Sequence, residues 1–291
     1  ESPLKKTLIG GSLTVFFEAF GGGHMLELLK IAKQTHAQDS YLTLFKRVTA
    51  SKGIGGVLDG FLPWGLMQAL TKGAVFGWGQ AMSLGVLSNS DLSASNAMIL
   101  SGGIGGFVQG VCMSPLLLLK TRVITNPKFR ATGSTLETAA LSAKVGFEVV
   151  REEGAMALCK GMTVFSVKRF ADWTTRYFFV VQVENLLKSH PDEKLPGYKA
   201  VFAALAGGSL SALATIPLDV LVATFQQASK AGKNVGVIST FKEAAQGGAG
   251  DFLAFATRGL VVRVAHVALT TLVMKTGASW VYAKLGYSSG H

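Results

Sequence analysis

Residues 217–226 read Pro-Leu-Asp-Val-Leu-Val-Ala-Thr-Phe-Gln and close an uncharged run from Ala200 to Leu218. A proline in an apolar run of near-spanning length predicts a kinked membrane helix, with the Asp219 carboxylate just past Pro217. The pattern recurs. Residues 115–124 read Pro-Leu-Leu-Leu-Leu-Lys-Thr-Arg-Val-Ile, and residues 25–34 read Met-Leu-Glu-Leu-Leu-Lys-Ile-Ala-Lys-Gln. The copies start at Met25, Pro115 and Pro217, which predicts a threefold repeat of about one hundred residues.

A second signal follows each copy: Lys52-Gly53 with Gly60, Glu153-Gly154 with Lys160-Gly161, and Asp251-Phe252 with Arg258-Gly259. Together the two signals resemble the signature of the mitochondrial carrier family, P-x-[DE]-x-x-[KR]-x-[KR]-x-Q followed by [DE]-G-x(4)-[WYF]-[KR]-G. The likeness extends over nearly the whole chain. Each copy departs somewhere: Met25 replaces a proline, Leu117 an acid, Ile124 a glutamine, Val222 a base and Asp59 a base, while Leu58, Cys159 and Thr257 stand in aromatic positions.

The uncharged runs decide between a soluble and a membrane chain. Leu92–Leu119 is 28 residues without a charge, Ala200–Leu218 is 19 and Gly73–Ser90 is 18, against the roughly 20 needed to cross hydrocarbon. Six spans are expected, at about 7–34, 61–86, 95–123, 162–188, 198–227 and 259–285, with amphipathic surface helices at 41–51, 136–151 and 237–245. Repeats at 1–90, 91–193 and 194–291 follow, as one all-α membrane domain around a central cavity. Gly21, Gly22 and Gly23 either supply a bend where the first copy lacks proline or only allow close packing.

The net charge of +11 admits a nucleic-acid reading, in which basic loops contact phosphates, and a topological one. Twelve Lys or Arg lie in the segments 35–59, 125–160 and 227–258, whereas the connections 84–97 and 183–195 hold only Lys188 and Lys194. That asymmetry favours orientation and contact with anionic lipid over DNA binding. No cofactor is expected beyond a bound lipid such as cardiolipin. Cys112 and Cys159 fall in different repeats, and the five histidines show no ligand spacing, so neither a disulfide nor a metal site is expected. The apolar start at Leu8–Phe17 runs directly into the first copy, so no cleavable leader is expected. Nor is catalysis: the chain offers no nucleophile with a base, no carboxylate dyad and no phosphate loop.

The polar residues of the even-numbered spans carry the functional reading. Gln68 and Lys72 lie on the second, Lys168, Arg169, Asp172 and Arg176 on the fourth, and Arg263 and His266 on the sixth. Counted from Gly60, Gly161 and Gly259, Gln68, Arg169 and His266 lie 8, 8 and 7 residues in, at one depth. Charges at membrane depth face a wet cavity or one another, so the ring predicts a pocket for a multiply charged anion. In it the arginines grip carboxylates bidentately, Lys72 adds a point charge and Gln68 reads hydroxyl or keto groups. Individually, Arg176 has Asp172 as an alternative partner, Lys72 can snorkel, and His266 can be a packed neutral ring.

The resemblance implies more. Lys168-Arg169 followed by Arg176-Tyr177-Phe178-Phe179 resembles the tricarboxylate-carrying members, and Glu18 is similar to their acidic first helix. This implies exchange of citrate for 2-oxoglutarate, or a related anion, across the mitochondrial inner membrane by a monomer. The family's gate rule pairs Glu27 with Lys120 and Asp219 with Lys30, braced by Gln34 and Gln226, and leaves Leu117 opposite Val222. It implies a carrier resting closed to the matrix.

Overall fold

A computed structural model describes residues 3–36, 38–130, 134–190, 193, 195–230, 237–273, 277, 281 and 284. The described residues form helices and no strand. In chain order these are α1 (Pro3–Ala19), α2 (Gly23–Thr35), α3 (Tyr41–Thr49), α4 (Leu66–Leu87), α5 (Ala94–Thr125), α6 (Pro127–Arg130), α7 (Thr135–Glu153), α8 (Met162–Leu187), α9 (Gly197–Lys230), α10 (Val237–Gln246), α11 (Ala249–Ala256) and α12 (Leu260–Leu272).

Local chemistry accounts for their starts. Ser40, Ser93 and Ser134 cap α3, α5 and α7 by accepting from the backbone N–H three residues on. Helices α5 and α9 run through Pro115 and Pro217 without a break. The first copy behaves differently, and the single span expected over 7–34 is two helices. The chain breaks at Gly22, with φ at 82°, while the buried Phe17 folds back against Gly21 and Gly23, where a Cβ would lie 2.8 and 2.6 Å from its ring.

The long helices form a closed ring of contacts: α1 against α4, α4 against α5, α5 against α8, α8 against α9, α9 against α12, and α12 against α2, which adjoins α1. Three described stretches are long and apolar enough to cross a membrane, namely Ala94–Thr125, Gly197–Thr224 and Ala249–Leu272. The last is interrupted at 257–259, where Gly259 adopts φ 83°. Helices α4 and α8 fall short by composition because their polar residues face inward. They still present Trp78, Met82, Val167 and Phe178 outward, as α9 does Phe202 and Leu213, so the bundle's exterior is apolar. The sixth span beyond residue 273 lies mostly outside the described residues.

Helix α5 sits between α4 and α8 because its glycines let backbones touch. A Cβ on Gly106 would lie 2.5 Å from the Arg169 carbonyl oxygen and 2.6 Å from Trp173. Gly106→Ala is expected to destabilise the protein by about 1–3 kcal/mol. Gly85→Ala, where a Cβ meets nothing within 4 Å, is the matched control in thermal unfolding of detergent-solubilised protein. Equal midpoints for the two variants refute the packing account.

The downstream signals share geometry. Gly60, Gly161 and Gly259 have φ of 79, 79 and 83° and each precedes an even-numbered span, a conformation that side chains resist. Gly53 and Gly154 also have positive φ. In the third copy Phe252 occupies that position inside α11, and the positive φ appears instead at Gly248.

The departure at Asp59 also has a physical reason. Lys52 Nζ donates to both Asp59 oxygens at 2.9 Å, while Lys160 Nζ donates to Glu153 at 2.8 Å. Lys52 stands where the second copy has Glu153, and Asp59 where it has Lys160, so the ion pair survives with its charges exchanged. Lys52, almost wholly buried, also donates to Thr138 Oγ1 at 2.6 Å and to the Phe129 carbonyl, tying the first copy to α6 and α7.

Glu153 accepts from Arg122 as well as Lys160, and these hydrogen bonds lower its pKa from 4.5 to about 2. A depressed carboxylate stabilises the fold fully above its unfolded pKa and loses that contribution as pH falls through its folded value. The stability gap between the parent and Glu153→Gln is therefore expected to be constant above pH 5 and to close toward pH 2. Denaturation at stepped pH reads it. A gap that persists at pH 2 contradicts the pairing.

Candidate functional site

The ring encloses a cavity of about 310 Å³ bordered by α1, α2, α4, α5, α8, α9 and α12. All eight residues expected in the pocket line it: Gln68, Lys72, Lys168, Arg169, Asp172, Arg176, Arg263 and His266. Six cations reach the cavity wall, Lys30, Lys72, Lys168, Arg169, Arg176 and Arg263, against four carboxylates, Glu18, Glu27, Asp172 and Asp219. Lys120 adds a further cation beside Glu27.

What holds each cation separates them into two groups. Lys72 Nζ lies 2.5 Å from Glu18. Lys168 is 2.5 Å from Asp172 and 3.1 Å from Asp219, and Lys30 is 3.3 Å from Asp219. Arg263 reaches Asp172 at 2.8 Å and Asp219 at 2.9 Å. Lys72 and Arg263, both expected to face a ligand, thus also have carboxylate partners in the protein, Arg263 through one hydrogen bond to Asp172 and one ion pair with Asp219. Burying these cations requires partners, and sequence order alone does not reveal which acids turn inward to meet them.

Arg169 and Arg176 are held otherwise. Arg169 donates through Nε to Gln109 Oε1 at 2.9 Å and again through Nη2, while its nearest approach to Asp172 is 3.5 Å. Arg176 lies over the Trp173 ring, 5.1 Å from its centroid, rather than on Asp172, and no described carboxylate lies within ion-pair distance of it. Arg169 flanks the same ring at 5.7 Å, and Phe76 stacks on Trp173 with centroids 3.9 Å apart. The three α8 residues share a face because they fall at i, i+4 and i+7. A cation held by a neutral amide or an aromatic ring keeps its charge for a ligand.

The remaining residues are placed as follows. Gln68 lines the cavity and accepts from Lys120 Nζ at 3.4 Å. His266 stacks against Phe17, centroids 5.9 Å apart. Lys120 Nζ is 2.5 Å from Glu27. Leu117 and Val222 pack in one cluster with Met113 and Phe165. Gln34 is buried on the cavity wall with its Nε2 unpartnered among the described residues, so the described brace beside Glu27–Lys120 comes from Gln68. The Gln226 side chain lies outside the described residues. At the opposite end Gln80 donates to Tyr177 Oη at 2.9 Å. No described group of His, Cys, Asp and Glu is arranged to hold a metal ion.

Sequence reasoning missed Gln109, Trp173 and the pairing role of Glu18. Gln109 sits on an odd-numbered helix, away from the charged ring. Its only signal was an isolated amide in the uncharged run 92–119.

A helical ring that is apolar outside and carries an excess of cations around an internal cavity has the architecture of a membrane transport protein. Residues 93–191 match the family model described as mitochondrial carrier protein. The chain is 28% identical over 229 residues to the citrate/oxoglutarate carrier protein of Saccharomyces cerevisiae, covering 76% of this chain and 72% of that protein. It is 29% identical over 129 residues to the mitochondrial succinate-fumarate transporter 1 of Arabidopsis thaliana, covering 44% of this chain and 39% of that protein. It is 26% identical over 160 residues to the mitochondrial thiamine pyrophosphate carrier 1 of Emericella nidulans, covering 50% and 46% respectively. These similarities support placing the chain in the mitochondrial carrier family.

Proposed function

We propose that this chain exchanges citrate for 2-oxoglutarate, or a related di- or tricarboxylate, across the mitochondrial inner membrane by alternating access. In this reading six spans form three repeats at 1–90, 91–193 and 194–291, and α3, α7 and α10 lie on the matrix side. The observation that carries it is the division of the cavity's cations: Arg176 lies on an aromatic ring and Arg169 is held chiefly by Gln109, with Asp172 no nearer than 3.5 Å, whereas the others are held closely by carboxylates. Two guanidiniums without a close carboxylate suit a ligand with at least two carboxylates, which each can grip through paired N–H donors. The similarity to a citrate/oxoglutarate carrier over three quarters of the chain supports the choice of anion.

The bridges Glu27–Lys120 and Lys30–Asp219, with the apolar contact between Leu117 and Val222, form the matrix gate in this reading. Substrate binding must offset their loss for the cavity to open. The experiment is counter-exchange with purified protein in liposomes preloaded with 2-oxoglutarate. Uptake of labelled citrate is expected. Exchange of thiamine pyrophosphate or nucleotides with no citrate uptake defeats the assignment.

A further inference from the structure

The structure assigns Gln109 as a positioning residue that orients Arg169 while leaving its charge available, and we infer that the neutrality of this side chain sets the cavity's preference for multiply charged anions. The inference rests on the anion-carrier reading but not on which anion is carried.

Gln109 is 3% exposed and projects from α5, which contributes no charge to the cavity wall. Its amide orientation is fixed by contacts at both ends. Nε2 donates to the Lys72 carbonyl at 2.6 Å, which leaves Oε1 as the acceptor facing α8. That oxygen receives Arg169 Nε at 2.9 Å, Arg169 Nη2, and Trp173 Nε1 at 3.3 Å. One buried amide therefore joins α4, α5 and α8 and aligns the two α8 side chains that border the free charge. A carbonyl oxygen with three donors is a strong local acceptor, yet it carries no formal charge.

The contrast within the same cavity gives Gln109 its meaning. Lys72 is held by Glu18, and Lys30, Lys168 and Arg263 share Asp172 and Asp219, so carboxylates screen most of their charge. A carboxylate at position 109 would satisfy the same Arg169 donors with better hydrogen bonds and would remove the charge from the ligand's reach. Two things therefore favour an amide over an acid there: the N–H donated to the Lys72 carbonyl, and a guanidinium whose charge is left for the ligand.

Gln109→Glu is the direct test, with Gln109→Leu as its companion. In liposomes, Gln109→Glu is expected to raise KM for the transported anion roughly tenfold, about one lost charge-assisted contact, with Vmax close to the parent and a lower thermal midpoint from the lost donor to the Lys72 carbonyl. Its selectivity is expected to move from trianion toward dianion. Gln109→Leu keeps the charge but loses its alignment, and is expected to lower both stability and Vmax. The same variants are compared by ligand-induced thermal shift against citrate, 2-oxoglutarate, inorganic phosphate and pyrophosphate. If pyrophosphate but not citrate stabilises the parent, the carboxylate assignment fails; loss of that shift in Gln109→Glu still supports the role of Gln109. Parent-like KM and anion shifts in Gln109→Glu overturn the inference, as does a parent that no anion stabilises.

Discussion

Replacing Asp172 by alanine is expected to lower stability by about 3–5 kcal/mol, the range for breaking a buried ion pair by removing one partner. Asp172 is the carboxylate on which Lys168, Arg169 and Arg263 converge, and it is itself almost wholly buried. Without it Lys168 and Arg263 share Asp219 with Lys30, and Arg169 loses its nearest carboxylate, in a cavity already rich in positive charge. The loss acts on the fold before it acts on transport. A multivalent anion can supply the missing negative charge, so adding substrate is expected to raise the variant's unfolding midpoint more than the parent's. At a ligand concentration of one hundred times Kd the linkage is worth about 2.7 kcal/mol, enough to offset much of the defect.

Arg169→Ala has the opposite signature. Its guanidinium is partly open to the cavity and held mainly by Gln109, so its removal strands no buried carboxylate. Exchange is expected to fall roughly a hundredfold, in line with losing hydrogen bonds to a charged ligand, while the unfolding midpoint stays near the parent's. Liposome uptake and thermal unfolding measured on both variants decide it. A stable Asp172→Ala or an unfolded Arg169→Ala reverses the assignment of structural and ligand-facing charge.

The sequence made the helices legible because hydrophobic period and uncharged length are local properties. Tyr41–Thr49, Thr135–Glu153 and Val237–Gln246 lie within two residues of where amphipathicity places them. Depth was legible for the same reason: a helix advances by a fixed rise, so counting from Gly60, Gly161 and Gly259 puts Gln68, Arg169 and His266 on one cavity.

Partner choice was not legible. Whether Lys72 meets a ligand or Glu18 depends on the turn at Gly22, which brings α1 against the cavity, and no spacing rule encodes that rotation. Asp59 was a lone departure from a motif until the structure placed it 2.9 Å from Lys52 as a charge-exchanged pair. Gln109 escaped because a search for charge passes over a neutral holder.

The largest effect expected at the proposed gate comes from restoring the ion pair that the chain lacks. Leu117 and Val222 are buried in one apolar cluster with Met113 and Phe165, at the positions where the other two junctions carry Glu27–Lys120 and Lys30–Asp219. Leu117→Asp or Val222→Lys alone places an unpartnered charge among apolar side chains, and each is expected to destabilise by about 3–5 kcal/mol. The pair together supplies mutual partners, so the double variant is expected to recover most of the loss. If this end opens during transport, the new bridge stabilises the closed form selectively. Exchange by the double variant then falls about tenfold for every 1.4 kcal/mol the bridge contributes. Raising ionic strength does not relieve the brake, because a buried pair is screened little. Three measurements read this: unfolding midpoints for the two single variants and the double, uptake by the double, and maleimide labelling of a cysteine at Ser83, which lies on α4 beside Gln80 at the opposite end, with Cys112 and Cys159 replaced. With this end held closed, labelling at Ser83 rises as uptake falls. A double variant that refolds and exchanges at the parent rate shows that the 117–222 contact does not open, and removes it from the gate. A double variant no more stable than the singles shows that the two side chains do not face each other.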